Sequence, residues 1–272
     1  MIPLPHTPRV SFEFFPPAAN DARDQLSETA ASLAAFAPSF VSVTYGAGGT
    51  SQDRTLRTLG DLARGLDVPV AGHLTTVNAT TDAIHETLDA YRSLGVNHVV
   101  ALRGDPPGTI EGAVAAAPAG DFASAIDLVK AIRDRSDGDE FQISVAAYPE
   151  VHPRAASPRA DLDHLKAKID AGANRAIAQF CFDTDVLLDF LDRARLAGIT
   201  VPIVPGIMPV GNFAGLRRFA ARCGASVPPW LDSLLHDLDD DPEVATWWPR
   251  RSRWSRSGAS PPRASSTFTS TP

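Results

Sequence analysis

Glu13 is the first residue of this chain placed to do chemistry. It lies in RVSFEFFPPAAN, a run that starts at Arg9 and surrounds the carboxyl group with Phe12, Phe14 and Phe15. Side chains alternate along a strand, so Val10, Phe12 and Phe14 share one face while Ser11, Glu13 and Phe15 share the other. Pro16 and Pro17 then end the strand, because proline cannot donate to a ladder. Burial among apolar neighbours disfavours the charged form of a carboxyl group. A glutamate kept protonated in this way can act as a general acid. The alternative is a structural carboxylate paired with an arginine. A second carboxylate, Asp105, follows ALRG and precedes Pro106 and Pro107, which puts it on a loop just above a strand. There it either joins the same site or caps a turn or helix.

Other chemistries have weaker signals. The seven histidines are scattered, with no HExxH and no close Cys/His cluster, so no metal site is expected. YGAGGT (45–50) is glycine-rich but matches neither GxGxxG nor a P-loop; it reads as a tight βα turn whose amides could touch a phosphate. No GxSxG is present. The three lysines, Lys130, Lys166 and Lys168, all fall in predicted helices rather than at strand ends, which argues against a Schiff-base aldolase.

These residues are carried by a regular framework. Strand-like runs occur at VSFEFF, FVSVTY (40–45), PVAGHLT (69–75), HVVALRG (98–104), FQISVAAY (141–148), RAIAQFCF (175–182) and VPIVPGI (201–207). Amphipathic stretches near 21–37, 52–65, 81–94, 122–135, 159–172, 184–197 and 212–223 alternate with them. Such alternation implies a parallel sheet. Seven units of about 30 residues point to an α/β fold of the (β/α)8 TIM-barrel type, usually about 250 residues long. A doubly wound sheet is the runner-up, but its glycine-rich first turn is replaced here by Pro-Pro. Glu13, Thr44, Tyr45, His73, Thr75, Arg103, Gly104, Asp105, Tyr148 and Gln179 gather at the C-terminal strand ends, as does the Pro205–Gly206 turn. In a barrel those ends form the mouth where active sites are built.

Composition sets the outer limits. With 272 residues, 44 % hydrophobic and 21 % charged, the chain can bury a substantial core. Its net charge of −7 argues against nucleic acid as a partner. No apolar run approaches the roughly 18 residues of a membrane span, and MIPLPHTPR lacks the features of a signal peptide. Cys181 and Cys223 form no CxxC, so a reducing, cytoplasmic setting is expected.

SFEFFPP, FVSVTYGAGG, GHLTTVNAT, HVVALRGDPP, ISVAAYPEVHP, DAGANRAIAQFCFD and PIVPGIMPV, in order and at family spacing, resemble methylenetetrahydrofolate reductase of the bacterial, flavin-containing type. The resemblance covers residues 10 to about 243. It implies a TIM barrel that binds FAD noncovalently and takes hydride from NADH or NADPH. It also implies reduction of 5,10-methylenetetrahydrofolate to 5-methyltetrahydrofolate, a step of one-carbon and methionine metabolism. Both substrates would stack in turn on the flavin, so no Rossmann domain is needed. A homo-oligomer is compatible with it.

By motif, the resemblance makes Glu13 the acid that protonates folate, and Asp105 the catalytic carboxylate near flavin and pterin. Thr44, Asp105, Gln179 and Phe219 would contact substrate. Tyr45, Ala47, His73, Arg103, Gly104, Asp105, Ala123, Tyr148, His152, Ala155, Asp161, His164 and Lys168 would contact FAD, with Arg103 and Lys168 as partners for its pyrophosphate. Each has an ordinary alternative: Gln179 as a core amide bonded to backbone, Phe219 as a core-facing helix residue, His73 and Tyr148 as core polar groups, Lys168 as a solvated helix lysine. Two positions depart from the family, Gly215 for a substrate-contacting glutamine and Ala167 for a flavin-side arginine. Two further readings are a truncated, non-catalytic flavin-binding product and a different barrel flavoenzyme such as a proline dehydrogenase.

Residues 1–243 form the expected catalytic domain, and 244–272 are distinct. This tail holds Arg250, Arg251, Arg253, Arg256 and Arg263, three of the four tryptophans and no acidic residue. It is dense in Ser, Thr and Pro and is expected to be disordered. In the family an eighth helix and strand follow, ending near VDFHFYTLNR, whose arginine contacts folate. The codons TCN-TCN-ACN-TTY-ACN-TCN-ACN-CCN encode SSTFTSTP; shifted by two bases they can spell VDFHFYT. The expectation is a reading-frame slip near Glu243. The eighth β/α unit is then lost or replaced, strands 1 and 7 keep unpaired edges, and the chain as written is poorly soluble or inactive.

Overall fold

The computed structural model describes residues 9–45, 52–104, 120–210, 213–235 and 265–269. Asp105, Ala47 and most of the YGAGGT turn therefore lie outside the described residues. Strands and helices alternate as β1 (Arg9–Phe14), α1 (Asn20–Ala34), β2 (Phe40–Val43), α2 (Gln52–Gly65), β3 (Val70–Thr75) and α3 (Thr81–Ser93). They continue as β4 (His98–Leu102), α4 (Ala125–Arg133), β5 (Gln142–Ala147), α5 (Pro158–Asp170), β6 (Arg175–Ala178) and α6 (Thr184–Leu196). After α6 come β7 (Ile203–Val204), β8 (Gly206–Ile207), α7 (Phe213–Cys223), α8 (Pro229–Leu235) and β9 (Ser265–Thr269).

Helix starts are set locally. The side chains of Thr80, Ser157 and Asp183 accept from backbone N–H groups of the first turn, and Ser124 and Asp127 form a capping box. Strands β1 to β7 run parallel, each beside its sequence neighbour. That arrangement is the expected TIM-like α/β fold.

Alternation sends Phe14 into the layer between sheet and helices, where Val41, Val43, Leu59, Leu74, Ile143 and Val145 also pack. The opposite faces of the strands meet inside the curled sheet, where Phe40, Ala71 and Val100 form a smaller cluster. Register places residues from alternate strands in common layers. At the N-terminal end, Phe40 of β2 meets the His98 ring of β4 edge-on at 4.6 Å, and Arg175 of β6 lies 5.0 Å over Phe40. Glu13 of β1 and His73 of β3 meet nearer the mouth.

The expected unpaired edges are corrected by β9. This segment of the tail pairs antiparallel with β1, from Arg9 opposite Thr269 to Glu13 opposite Ser265, and with β8 on its other side. The eighth position is thus filled by a strand of opposite direction. A ladder is made by backbone groups, so a β-branched, proline-free SSTFT can supply it without the family's side chains. The same strand falls within the stretch expected to be disordered.

Candidate active site

Glu13 sits one residue before the end of β1, facing the barrel interior, with its side chain 29 % exposed. The His73 ring faces it from β3 and is 8 % exposed. His73 Nε2 comes within 3.3 Å of Glu13 Oε2, but off the hydrogen-bond direction, so Nε2 is buried without a hydrogen-bond partner among the described residues. The arginine pairing considered for Glu13 is replaced by a histidine contact.

What fixes His73 was not visible as a motif. Tyr91 of α3, fully buried, donates its hydroxyl proton to the His73 carbonyl oxygen at 2.7 Å. Its ring passes over Gly72, where a Cβ would lie 2.4 Å from Cε2. A glycine inside a strand marks such a close approach, and that was the available signal. Burial pushes the Tyr91 hydroxyl well above its usual value, so it stays a donor.

The β3 and β4 ends are clipped together. Thr76 donates its N–H and its hydroxyl to the Arg103 carbonyl oxygen, each at 3.1 Å. Gly104 follows with φ of +80°, and a Cβ there would meet the Thr75 side chain at 2.8 Å, so only glycine serves. Thr44 N–H donates to the Phe14 carbonyl, tying the β2 end to the β1 end beside Glu13. Tyr45 is half-buried, and burial raises its hydroxyl pKa.

The loop after β5 groups several predicted cofactor residues. The Tyr148 and His152 rings pack edge-on at 4.6 Å. His152 N–H donates to Asp161 at 3.0 Å, His152 Nδ1 accepts from Arg154 N–H, and Ala155 N–H donates to the His152 carbonyl. Val151 lies between Tyr148 and His152 at φ of +71°, a strained conformation for a β-branched residue. His164, its ring partly packed although the residue reaches solvent, has its pKa lowered by that packing and by Lys168.

Lys168 corrects one alternative: it is a buried lysine, 5 % exposed, and not a solvated one. Its Nζ donates to the Ala146 carbonyl of β5, and burial lowers its pKa to about 8 against the pull of Asp161. Ala123 is exposed before α4, its N–H bonded to Asp127. Gln179 Oε1 accepts from Phe180 N–H at 3.1 Å, the backbone-bonded role given as its alternative. Phe219 of α7 stacks on Phe180, with centroids 5.7 Å apart, and Arg222 lies 5.5 Å over its ring.

One layer further toward the N-terminal end of the strands lies a group the sequence reading missed. His98 is bonded through Nε2 to Ser144 at 2.9 Å, and burial with Arg175 and His73 nearby lowers its pKa to about 3. Its position at a strand start gave the only hint.

Residues 5–247 match the family model for methylenetetrahydrofolate reductase. The 5,10-methylenetetrahydrofolate reductase of Pectobacterium carotovorum is 46 % identical over 235 residues, 86 % of this chain and 75 % of the relative. The chain belongs to the methylenetetrahydrofolate reductase family. It is accordingly one of a family of oxidoreductases that reduce methylenetetrahydrofolate. The Escherichia coli enzyme of that name is 44 % identical over 236 residues, 86 % of this chain and 76 % of its own. A rice relative, named a probable methylenetetrahydrofolate reductase (NADH), is 41 % identical over 243 residues, 86 % of this chain and 40 % of its own. In fold, the chain resembles a solved Clostridium thermocellum protein that binds two copies of 5-methyl-5,6,7,8-tetrahydrofolic acid. The TM-score is 0.55 at 16 % identity, over 84 % of this chain and 75 % of that one. Among the described residues no helix is long and apolar enough to cross a membrane.

Proposed function

We propose that this reductase is a flavoprotein in which Glu13 protonates methylenetetrahydrofolate at the barrel mouth, with FAD as the cofactor its residues would hold and a reduced nicotinamide as its electron donor. The observation that carries this reading is an inward-facing carboxyl group at the C-terminal end of β1, held against a buried histidine. The residues present fit a flavin dinucleotide. Lys168 is a buried cation whose hold on its proton is weakened by burial, and such a group gains from an anionic pyrophosphate. When bound, FAD supplies a two-electron carrier that accepts hydride from one substrate and passes it to the next.

The chain's own residues do the rest. Glu13 donates a proton to the folate so that its methylene bridge opens to an iminium, the form that accepts hydride. Asp105, which lies outside the described residues, is the carboxylate that the resemblance assigns to stabilising that cation. Gln179, if its amide turns from the Phe180 N–H, offers donor and acceptor to the pterin edge. Thr44 contacts the nicotinamide, and Phe219 leaves Phe180 to cover substrate. By the resemblance, Tyr45, His73, Arg103, Gly104, Tyr148, His152 and Asp161 would hold the cofactor, together with Ala47, which lies outside the described residues. NADH is the favoured donor, since the rice relative carries it in its name. The setting is cytoplasmic, and nucleic acid and membranes are not partners.

A second reading, a non-catalytic flavin binder, is favoured by the tail. The family match stops just past Glu243, in support of a frame slip there, and the residues from 248 onward lie outside that match. Purified protein reconstituted with FAD and mixed anaerobically with NADH, then with methylenetetrahydrofolate, separates the readings. Bleaching followed by folate-dependent reoxidation supports the reductase; bleaching alone supports the binder. Glu13→Gln is expected to keep bleaching and lose reoxidation, and loss of both steps counts against its acid role. Resequencing the DNA around codon 243 tests the slip, and an intact frame refutes it.

A further inference from the structure

His73 Nε2 is a buried polar atom without a hydrogen-bond partner among the described residues, and Glu13 Oε2 lies 3.3 Å away. We propose that His73 is a positioning residue for Glu13, donating its Nε2–H to Oε2 so that the acidic proton is carried on the other carboxyl oxygen. This rests on the reading of Glu13 as the acid that protonates folate.

Buried donors left unpaired are rare in folded proteins, so an orphan beside an acceptor marks a contact that a small side-chain rotation completes. The mobile partner is Glu13, whose side chain is 29 % exposed, whereas His73 is packed at 8 %. The backbone of His73 is held twice, by the Tyr91 hydroxyl at 2.7 Å and by the β3–β4 ladder opposite Val100. The charged or titratable groups facing His73 are Glu13 from β1 and His98 from β4, and His98 stays neutral because burial lowers its pKa to about 3. The ring is thus a fixed point against which the carboxyl group can be oriented.

A protonated carboxyl group has one carbonyl oxygen, which accepts, and one hydroxyl, which donates. A donor held at Oε2 makes that atom the carbonyl oxygen and leaves the hydroxyl as Oε1–H. On proton transfer the Oε1–H bond breaks with its electron pair staying on oxygen, and the folate nitrogen forms an N–H bond with its lone pair. The carboxylate left behind keeps the His73 hydrogen bond, now charge-assisted and stronger. His73 neither gains nor loses a proton, which separates its role from that of the acid.

Two measurements test the assignment. In the 15N-histidine-labelled chain without cofactor, an exchange-protected, downfield imidazole N–H proton is expected. It should be absent in His73→Leu and displaced upfield in Glu13→Gln. Absence of that signal in the unaltered chain, or a signal indifferent to Glu13→Gln, overturns the proposal whether or not the enzyme turns over. In the FAD-loaded enzyme, His73→Leu is expected to slow folate-dependent reoxidation roughly tenfold or more, the scale of one hydrogen bond to a charged group. His73→Gln, which returns an N–H donor, should recover much of that loss. No rescue by glutamine shows a merely structural residue. A wild-type enzyme without folate-dependent reoxidation refutes the function while leaving the N–H signal to decide the positioning role.

Discussion

Gly72 precedes His73 on β3, and its replacement by alanine probes how that strand is held. A Cβ at this position would lie 2.4, 2.6 and 3.0 Å from Cε2, Cζ and Cδ2 of Tyr91, and something must move. Tyr91 cannot yield freely: it is fully buried and its hydroxyl is bonded to the His73 carbonyl. Overpacking of a close-fitting core costs about 1–3 kcal/mol. Loss of chain entropy in the unfolded state returns about 0.4–1 kcal/mol of this, because Gly72 is not in the left-handed region. Taken at the midpoints of these ranges, the net expectation for Gly72→Ala is about 1.3 kcal/mol of destabilisation, or a fall in Tm of roughly 3–5 °C for a domain of this size. Chemical and thermal denaturation measure it. Tyr91→Leu shortens the ring that meets the new methyl group, so in that background Gly72→Ala should cost almost nothing. The coupling in this double-mutant cycle is the test. Equal costs in both backgrounds, or a neutral Gly72→Ala, would falsify the view that α3 pins the strand bearing His73 through this contact.

Other perturbations reach different parts of the molecule. Lys168 has a pKa of about 8 when folded against the ordinary lysine value of 10.5, so between these pH values the unfolded chain binds the extra proton and stability rises with pH. Below pH 8 the folded state carries the full cost of the buried charge, about 3 kcal/mol. Lys168→Met in the protein without cofactor should therefore be more stable at pH 7 and lose that part of the rise between pH 8 and 10.5. A pH–stability curve parallel to the wild type refutes this, and weaker FAD binding is the expected functional loss. Arg133 donates to the carbonyls of Gly138, Phe141 and Gly172 and to the Asn174 side chain. Arg133→Lys cannot reproduce that planar fork, and a loss of about 2–4 kcal/mol in urea denaturation is expected. Deleting residues 265–272 removes β9 and leaves the β1 and β8 edges open. Concentration-dependent light scattering should rise, and an unchanged monomer would count against a closing role for this strand.

Much of this protein was written locally. The alternation of Val10, Phe12 and Phe14 against Ser11 and Glu13 determined which way Glu13 faces, because strand periodicity does not depend on the partner strand. The amphipathic runs likewise marked α3 to α6 within a few residues. What the linear pattern could not carry was pairing across the barrel. Glu13 and His73 are 60 positions apart, and their meeting follows from the stagger of parallel strands, a property of the closed sheet. Whether Lys168 is buried or solvated stayed open in the sequence, because helical spacing does not say which residue faces a neighbouring strand's carbonyl. The tail showed the limit most directly: SSTFT carries no strand period of its own, yet two neighbouring edges offered it a ladder. Side-chain pattern is a property of the chain, but an open row of N–H and C=O groups exists only once the rest of the sheet has formed.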